Sequence, residues 1–276
     1  MKSRITRSFE LLKASGQTGL IPFIIPGISR ANNPLSPIDH SSVFEPDNTV
    51  ELILGLEAAG SDIIEIGIPF SDPVADGPVI QQAAHLALQQ GINTDRVFEL
   101  VEKVRQKSSI PLVLLVYYNC VYRYGRESFI RQCRQRGIDG LIIPDLPLEE
   151  RGEISALLKG LPPDLITLVS PTSGQRLKRI LNVAPGFVYC ISRTGVTGER
   201  PELSDQLTKL LADIKGLSNT PRAVGFGICN QQQVRELKNH CEGVIVGSAL
   251  VRRLLGNGLS AGLTFIRELR IALDQK

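Results

Sequence analysis

The stretch Ile63-Ile64-Glu65-Ile66-Gly67-Ile68-Pro69-Phe70-Ser71-Asp72-Pro73-Val74-Ala75-Asp76-Gly77-Pro78 runs from an apolar segment through a proline- and glycine-rich loop into a helix start. Its first part is short, branched and bounded by turn residues, the composition of a strand buried on both faces. One carboxylate, Glu65, interrupts it. Ionised and unpaired, that group would be very costly to bury. Asp72 and Asp76 lie on the loop, and Val79 to Leu88 reads as a helix with Pro78 in its first turn, where a missing N–H costs nothing. Aspartates in such a loop are ordinarily turn residues, and a buried glutamate can be ion-paired in the core. A buried acid at a strand end with a second acid on the loop beyond it is also the arrangement of a proton-transfer pair.

The same strand, loop and helix unit recurs along the chain. Strands are predicted over residues 20–25, 63–68, 111–116, 140–143, 165–169, 187–191, 222–224 and 243–246. Helices are predicted over 4–15, from an Asp47 cap to Gly60, and over 79–88, 94–106, 127–136, 149–159, 174–181, 203–214, 231–239 and 259–273. An unbroken alternation of this kind forms either a closed eight-stranded barrel or a doubly wound open sheet. The strand count and the length of 276 residues favour the barrel. No GxGxxG with a downstream acid follows the first strand, which weakens the open sheet. The expectation is one domain over residues 1–276, an α/β protein with a single (βα)8 TIM barrel and extra N-terminal and C-terminal helices. The region from Pro26 to Pro46 is rich in Pro, Asn and Ser and has no periodicity, so residues at about 28–46 read as an inserted loop.

Composition excludes several classes. Hydrophobic residues make up 42% and charged residues 21%, values of a soluble globular chain. A net charge of +3, scattered in short groups such as Arg252-Arg253, gives no nucleic-acid footprint. The five cysteines (120, 133, 190, 229, 241) are odd in number and include no CxxC, which argues for a reducing compartment and against a zinc site. The histidines, His40, His85 and His240, lack ligand spacing, so no metal is expected. The start lacks the apolar core of a signal peptide, and no segment is apolar for long enough to span a bilayer. A cytoplasmic location is expected.

In barrels of this kind the active site lies at the C-terminal ends of the strands. The sequence places Glu65, Asp76, Tyr117, Asn119, Asp145, Thr172 and Arg193 there. Gly225-Phe226-Gly227 follows the seventh strand and Gly247-Ser248 the eighth, the two turns where such barrels commonly hold a phosphate. A helix beginning at Ser248 would point its N-terminus at the anion. The loop Arg193-Thr194-Gly195-Val196-Thr197-Gly198 has the glycines and hydroxyls of a lid over that phosphate, or of an ordinary flexible connection.

These motifs resemble, in order, those of the tryptophan synthase alpha subunit family. The likeness rests on Glu65 to Gln81, Tyr117-Tyr118-Asn119, Pro144-Asp145-Leu146-Pro147, Ser192 to Gly198, Gly225-Phe226-Gly227-Ile228 and Gly247-Ser248-Ala249, and it spans roughly Phe9 to Leu254. It implies retro-aldol cleavage of indole-3-glycerol phosphate to indole and glyceraldehyde 3-phosphate, without a cofactor. It implies that Glu65 protonates C3 of the ring and Asp76 holds the indole N–H. Phe23, Leu115, Tyr117, Ile142 and Tyr189 match the indole pocket; Gly198, Gly227, Gly247 and Ser248 match the phosphate site; Arg193, Gly195 and Thr197 match the lid. Apolar neighbours would keep Glu65 protonated, and Asp76, in a polar loop, would stay ionised. The implied partner is a beta subunit carrying pyridoxal phosphate, in an alpha2-beta2 heterotetramer, with the loop from Pro69 to Gly77 at the contact face. One departure stands out: after the first strand the family has a short turn bearing an acid, whereas Pro26-Gly27-Ile28-Ser29 opens a longer loop here. Other readings are a stand-alone lyase releasing free indole and a catalytically weak paralogue acting as a binding module.

Overall fold

All strand pairings are parallel, and the register brings every second side chain to one side of the sheet. The computed structural model describes residues 2–28, 46–191, 205–225 and 227–275. Its strands are β1 (Gly19–Ile24), β2 (Ile64–Gly67), β3 (Leu112–Leu115), β4 (Gly140–Ile142), β5 (Asp164–Leu165), β6 (Thr167–Val169), β7 (Val188–Ile191), β8 (Arg222–Gly225) and β9 (Gly243–Val246). Their order in the sheet is β5-β4-β3-β2-β1-β9-β8-β7-β6. The two outermost segments are halves of one extended run broken at Ile166. The first half pairs with β4 and the second with β7, while the Ile166 N–H donates to the Leu141 carbonyl at 2.8 Å. That broken strand completes the ring, and the barrel expected from the sequence is the one observed.

The helices cover the outside: α1 (Arg4–Ser15), α2 (Pro46–Ala58), α3 (Pro78–Gln89), α4 (Thr94–Arg105), α5 (Tyr118–Tyr124), α6 (Arg126–Arg136), α7 (Gly152–Leu158), α8 (Leu177–Leu181), α9 (Asp205–Leu217), α10 (Gln231–Leu237) and α11 (Ser248–Asp274). Several boundaries differ from expectation. The fifth strand is interrupted, and the helix predicted over 174–181 is a 3-10 turn over Pro171–Arg176, itself kinked at Gly174 with φ 44°, followed by the short α8. The helix predicted from Glu149 begins at Gly152. A short helix over Tyr118–Tyr124, not expected from the sequence, follows the third strand before Gly125. Asp47 lies inside α2 instead of capping it. The terminal helix begins at Ser248 and is broken at Gly258, φ 77°. The inserted loop falls on residues 29–45, outside the described residues.

Two apolar clusters hold the barrel. The larger fills the annulus between strands and helices. The smaller lies inside the ring, where Ile21, Ile63, Val113, Ile142, Ile166, Phe187, Ala223 and Ile245 meet Ile5, Phe9 and Leu12 of α1. That helix therefore plugs the N-terminal mouth. It is held there by its own caps, the Ser3 hydroxyl accepting from the Thr6 N–H at 3.2 Å and Gly16 closing the other end at φ 67°. The Phe9 and Phe187 rings lie 5.7 Å apart at the plug's centre. The plug gives the catalytic end of the barrel a dry floor. Among the described residues no helix is long and apolar enough to cross a membrane.

Phe9→Ala should cost about 3–5 kcal/mol of stability, because it removes a buried ring from a layer that cannot collapse around the gap. Urea denaturation of the variant checks this. A loss under about 1 kcal/mol would show that the plug is not part of the cooperative core.

Candidate active site

Glu65 sits in the middle of β2, paired in register with Phe23 of β1 and Val113 of β3. Alternation turns Ile64 and Ile66 outward into the annulus and leaves the carboxyl facing the barrel interior. The residue is 1% exposed, and neither carboxyl oxygen has a hydrogen-bond partner among the described residues. Burial pushes its pKa up to about 8, and the nearby Asp76 carboxylate pushes the same way. At neutral pH the group holds its proton. The sequence expectation of a protonated acid in an apolar strand agrees with this geometry.

A cavity opens above it at the C-terminal ends of the strands. Phe23, Leu115 and Tyr189 form its apolar and aromatic walls, joined by Ile80 and Ile245; Glu65 and Asp76 supply the carboxyls, and Gly225, Gly227, Gly247 and Ser248 form the far rim. Two of the walls depend on missing side chains. A Cβ on Gly67 would lie 2.7 Å from the Phe23 ring, and one on Gly225 would lie 2.6 Å from the Tyr189 hydroxyl oxygen. Gly227 adopts φ 54°, a left-handed turn that a side chain would oppose. The rim then meets the first turn of α11, whose cap residue Gly247 has no side chain to satisfy the helix N–H groups. Unsatisfied donors at a helix N-terminus, beside two glycine turns, make a seat for an anion.

Asp76 is half-buried, which differs from the polar, solvated loop read from the sequence. Burial raises its pKa, and a hydrogen bond from Tyr117 lowers it. Tyr117 is itself buried beneath the loop. Its hydroxyl accepts from the Ala75 N–H at 3.1 Å, and its ring stacks on Phe70 with centroids 5.2 Å apart. The tyrosine thus receives one proton from the loop backbone and donates its own to Asp76, a chain in which each bond polarises the next. The Asp76 carbonyl also accepts from Gln81 Nε2 at 2.9 Å on the first turn of α3. The loop is thus tied to Tyr117 beneath it and to the first turn of α3 beyond it.

The sequence-predicted residues divide into three groups. Phe23, Glu65, Asp76, Leu115, Tyr189, Gly227, Gly247 and Ser248 converge on one cavity. Tyr117 and Ile142, expected in its wall, are not among its lining residues: Tyr117 packs against the Asp76 loop and Ile142 belongs to the interior core. Arg193, Gly195, Thr197 and Gly198 lie outside the described residues. Ile80 and Ile245 were not singled out from sequence, although the alternation of β9 and the i, i+3 spacing of α3 would have turned both inward. No three His, Cys, Asp or Glu side chains converge as metal ligands among the described residues.

Comparison with known proteins gives one answer. The family model for the tryptophan synthase alpha chain matches residues 9–264. The tryptophan synthase alpha chain of Alkaliphilus metalliredigens is 47% identical over 256 residues, covering 92% of this chain and 90% of that one. That of Clostridium beijerinckii is 42% identical over 267 residues, covering 97% and 98%. Among solved structures, Mycobacterium tuberculosis tryptophan synthase superposes with a TM-score of 0.87 at 32% identity, covering all of both chains.

The raised pKa of Glu65 has a consequence for stability. The folded-state value of about 8 lies above the ordinary 4.5, so between the two the native state keeps a proton that the unfolded chain has lost. This contribution is fully present below about pH 4.5 and is lost as pH rises towards 8, at about 1.4 kcal/mol per unit. Thermal melts at pH 5 and pH 8.5 should show a decline for the wild type that is much smaller in Glu65→Gln. Identical pH slopes in the two proteins would mean that Glu65 is ionised in the fold.

Proposed function

The chain belongs to the tryptophan synthase alpha chain family, and we propose that Glu65 and Asp76 are the acid pair through which it works. The reaction is that of a carbon–carbon lyase: indole-3-glycerol phosphate is cleaved to indole and D-glyceraldehyde 3-phosphate, a step of L-tryptophan biosynthesis. The observation that carries the assignment is a protonated carboxyl, without a hydrogen-bond partner among the described residues, that shares an apolar cavity with a second carboxyl and with the glycine turns at the start of α11.

The chemistry follows from the distances and surroundings already described. The ring lies between the Phe23, Leu115 and Tyr189 walls, and the phosphate seats at Gly227, Gly247 and Ser248 against the start of α11. Glu65 delivers its proton to C3 of the indole. That carbon becomes tetrahedral, and positive charge develops on the ring nitrogen. The Asp76 carboxylate, held by Tyr117, accepts the indole N–H and stabilises the charge. The hydroxyl on the carbon next to the ring then loses its proton, the bond from that carbon to C3 breaks, and its electrons return to the ring as indole leaves. Glu65, now ionised without a partner in a dry cavity, is a strong base poised to recover a proton. By their match to the family motif, Arg193, Gly195 and Thr197 are assigned to the lid over the phosphate and Gly198 to the phosphate site.

The product indole is apolar and needs a receiver. The partner proposed is the family's pyridoxal-phosphate-dependent beta subunit, in an alpha2-beta2 assembly in the cytoplasm. The exposed side of the Pro69 to Gly77 loop supports this contact: Val74 is 78% exposed on the outer face of the loop that carries Asp76, so a protein docked there bears directly on the site.

Glu65→Gln keeps shape and removes the transferable proton. Turnover should fall at least about a hundredfold with substrate affinity nearly unchanged, measured by steady-state indole release. Retained turnover would take Glu65 out of the acid role. Gly247→Ala should fold normally, since its Cβ would rest at an ordinary 3.6 Å from Phe23. It should still bind indole while raising the Kd for phosphorylated ligands about tenfold, by crowding the anion off the helix N-terminus. Equal loss for both ligands in calorimetric titrations would place the phosphate elsewhere.

A further inference from the structure

Outside the barrel wall, between the turn after β4 and the 3-10 turn after β6, lies a second cavity that the lyase reaction does not use. Its walls are largely apolar, with Ile143, Leu146, Leu148 and Ile180 prominent, and it also receives the side chains of Arg151 and Arg176. Arg151 is 8% exposed and carries a full guanidinium into this setting. Its two assigned bonds go to neutral acceptors at the broken fifth strand, the Thr167 hydroxyl and the Leu165 carbonyl, the latter at 2.5 Å. No carboxylate pairs with it among the described residues. The other well-buried arginines differ. Arg105 meets Asp139 at 2.7 Å, Arg222 meets Glu242 at 2.6 Å and Arg270 meets Asp62 at 3.2 Å.

A buried cation held only by neutral groups lacks the partner that normally offsets its desolvation. Burial alone accounts for the fall of the Arg151 pKa to about 10. The strand break explains two of its five N–H donors and leaves the others to the cavity. Arg176 stands at the rim, half-exposed and bonded to Glu149 at 2.6 Å, so this group of three charges is net positive. Hydroxyl groups of Ser173 and Thr167 complete the polar side.

We propose that this cavity is a ligand site for a small organic acid, its carboxylate held by Arg151 and Arg176 and its hydrocarbon part by Leu146, Leu148 and Ile180. Occupancy would bear on the active site through the broken strand, because Leu168 pairs in register with Tyr189, a wall of the Glu65 cavity.

The test is calorimetric titration of the intact chain with 3-phenylpropionate, using 3-phenylpropionamide and inorganic phosphate as comparators. The acid should bind, and the uncharged amide should bind at least tenfold more weakly, as loss of a charge-assisted contact requires. Arg151→Met should abolish acid binding, and Arg176→Gln should weaken it about twofold to fivefold, the scale of an exposed charge pair. Gly247→Ala should leave it unchanged. If melting shows Arg151→Met unfolded, Arg176→Gln on the exposed rim decides the matter by itself. Equal binding of acid and amide overturns the proposal. Binding indifferent to Arg176 but lost in Gly247→Ala overturns it too, by putting the acid in the barrel cavity. Phosphate binding as tightly as the acid, with the same arginine dependence, would make the cavity a bare anion site and refute the organic-acid assignment.

Discussion

Glu65 places a carboxyl group in the interior of a barrel without one hydrogen bond among the described residues to steady it, and much of the surrounding structure follows from that burial. Burial disfavours the ionised form and holds the pKa at about 8, so at neutral pH the fold keeps the group as the neutral acid. Neutrality is what a proton donor needs at physiological pH. The same absence of partners makes the conjugate base strong after transfer. A hydrogen bond to Glu65 would stabilise the resting fold and blunt both halves of that cycle.

Keeping the group dry is a task shared by distant parts of the chain. The α1 plug seals one mouth with Ile5, Phe9 and Leu12, over layers of branched side chains from the alternating strands. At the other mouth, glycines at 67 and 225 admit the Phe23 and Tyr189 rings where a single Cβ would collide with them. Asp76 is treated in the opposite way. Its loop is bonded to Tyr117 and to the first turn of α3, so one acid is isolated and the other is provided for. The two carboxyls lining one cavity thereby have different surroundings: burial raises the pKa of both, and the Tyr117 hydroxyl pulls only that of Asp76 the other way.

The closing strand shows the same economy under a different constraint. A ring of short parallel segments has to accommodate its shear somewhere, and here the fifth strand breaks at Ile166, turning half of its bonds to β4 and half to β7. The Leu165 carbonyl freed at the break is taken by Arg151. A guanidinium is therefore buried for a structural purpose, and its surplus charge and donors face a cavity that could use them.

Much of this was legible in the sequence because the relevant signals are local. Strand and helix periods follow from side-chain geometry at neighbouring positions, so the alternation, the barrel and the apolar run around Glu65 could be read residue by residue. The glycine turns after the last two strands could be read in the same way, and they line the cavity. Other features depend on contacts across the ring. The break at Ile166 reflects pairing with two strands on opposite sides, and nothing local to Leu165–Val169 signals it. Tyr117 looks like a pocket wall in sequence, yet the packing of Phe70 turns its hydroxyl to the Asp76 loop. Ile142 alternates correctly but is taken up by the interior core, a matter of packing around the ring that no single strand encodes. Arg151 reads as one more surface charge beside Glu149 and Glu150, and only the closure of the barrel buries it away from both. The sequence by itself determined which residues alternate, turn and carry charge; the tertiary structure alone decided which of them lost their water, because desolvation is set by neighbours far away in the chain.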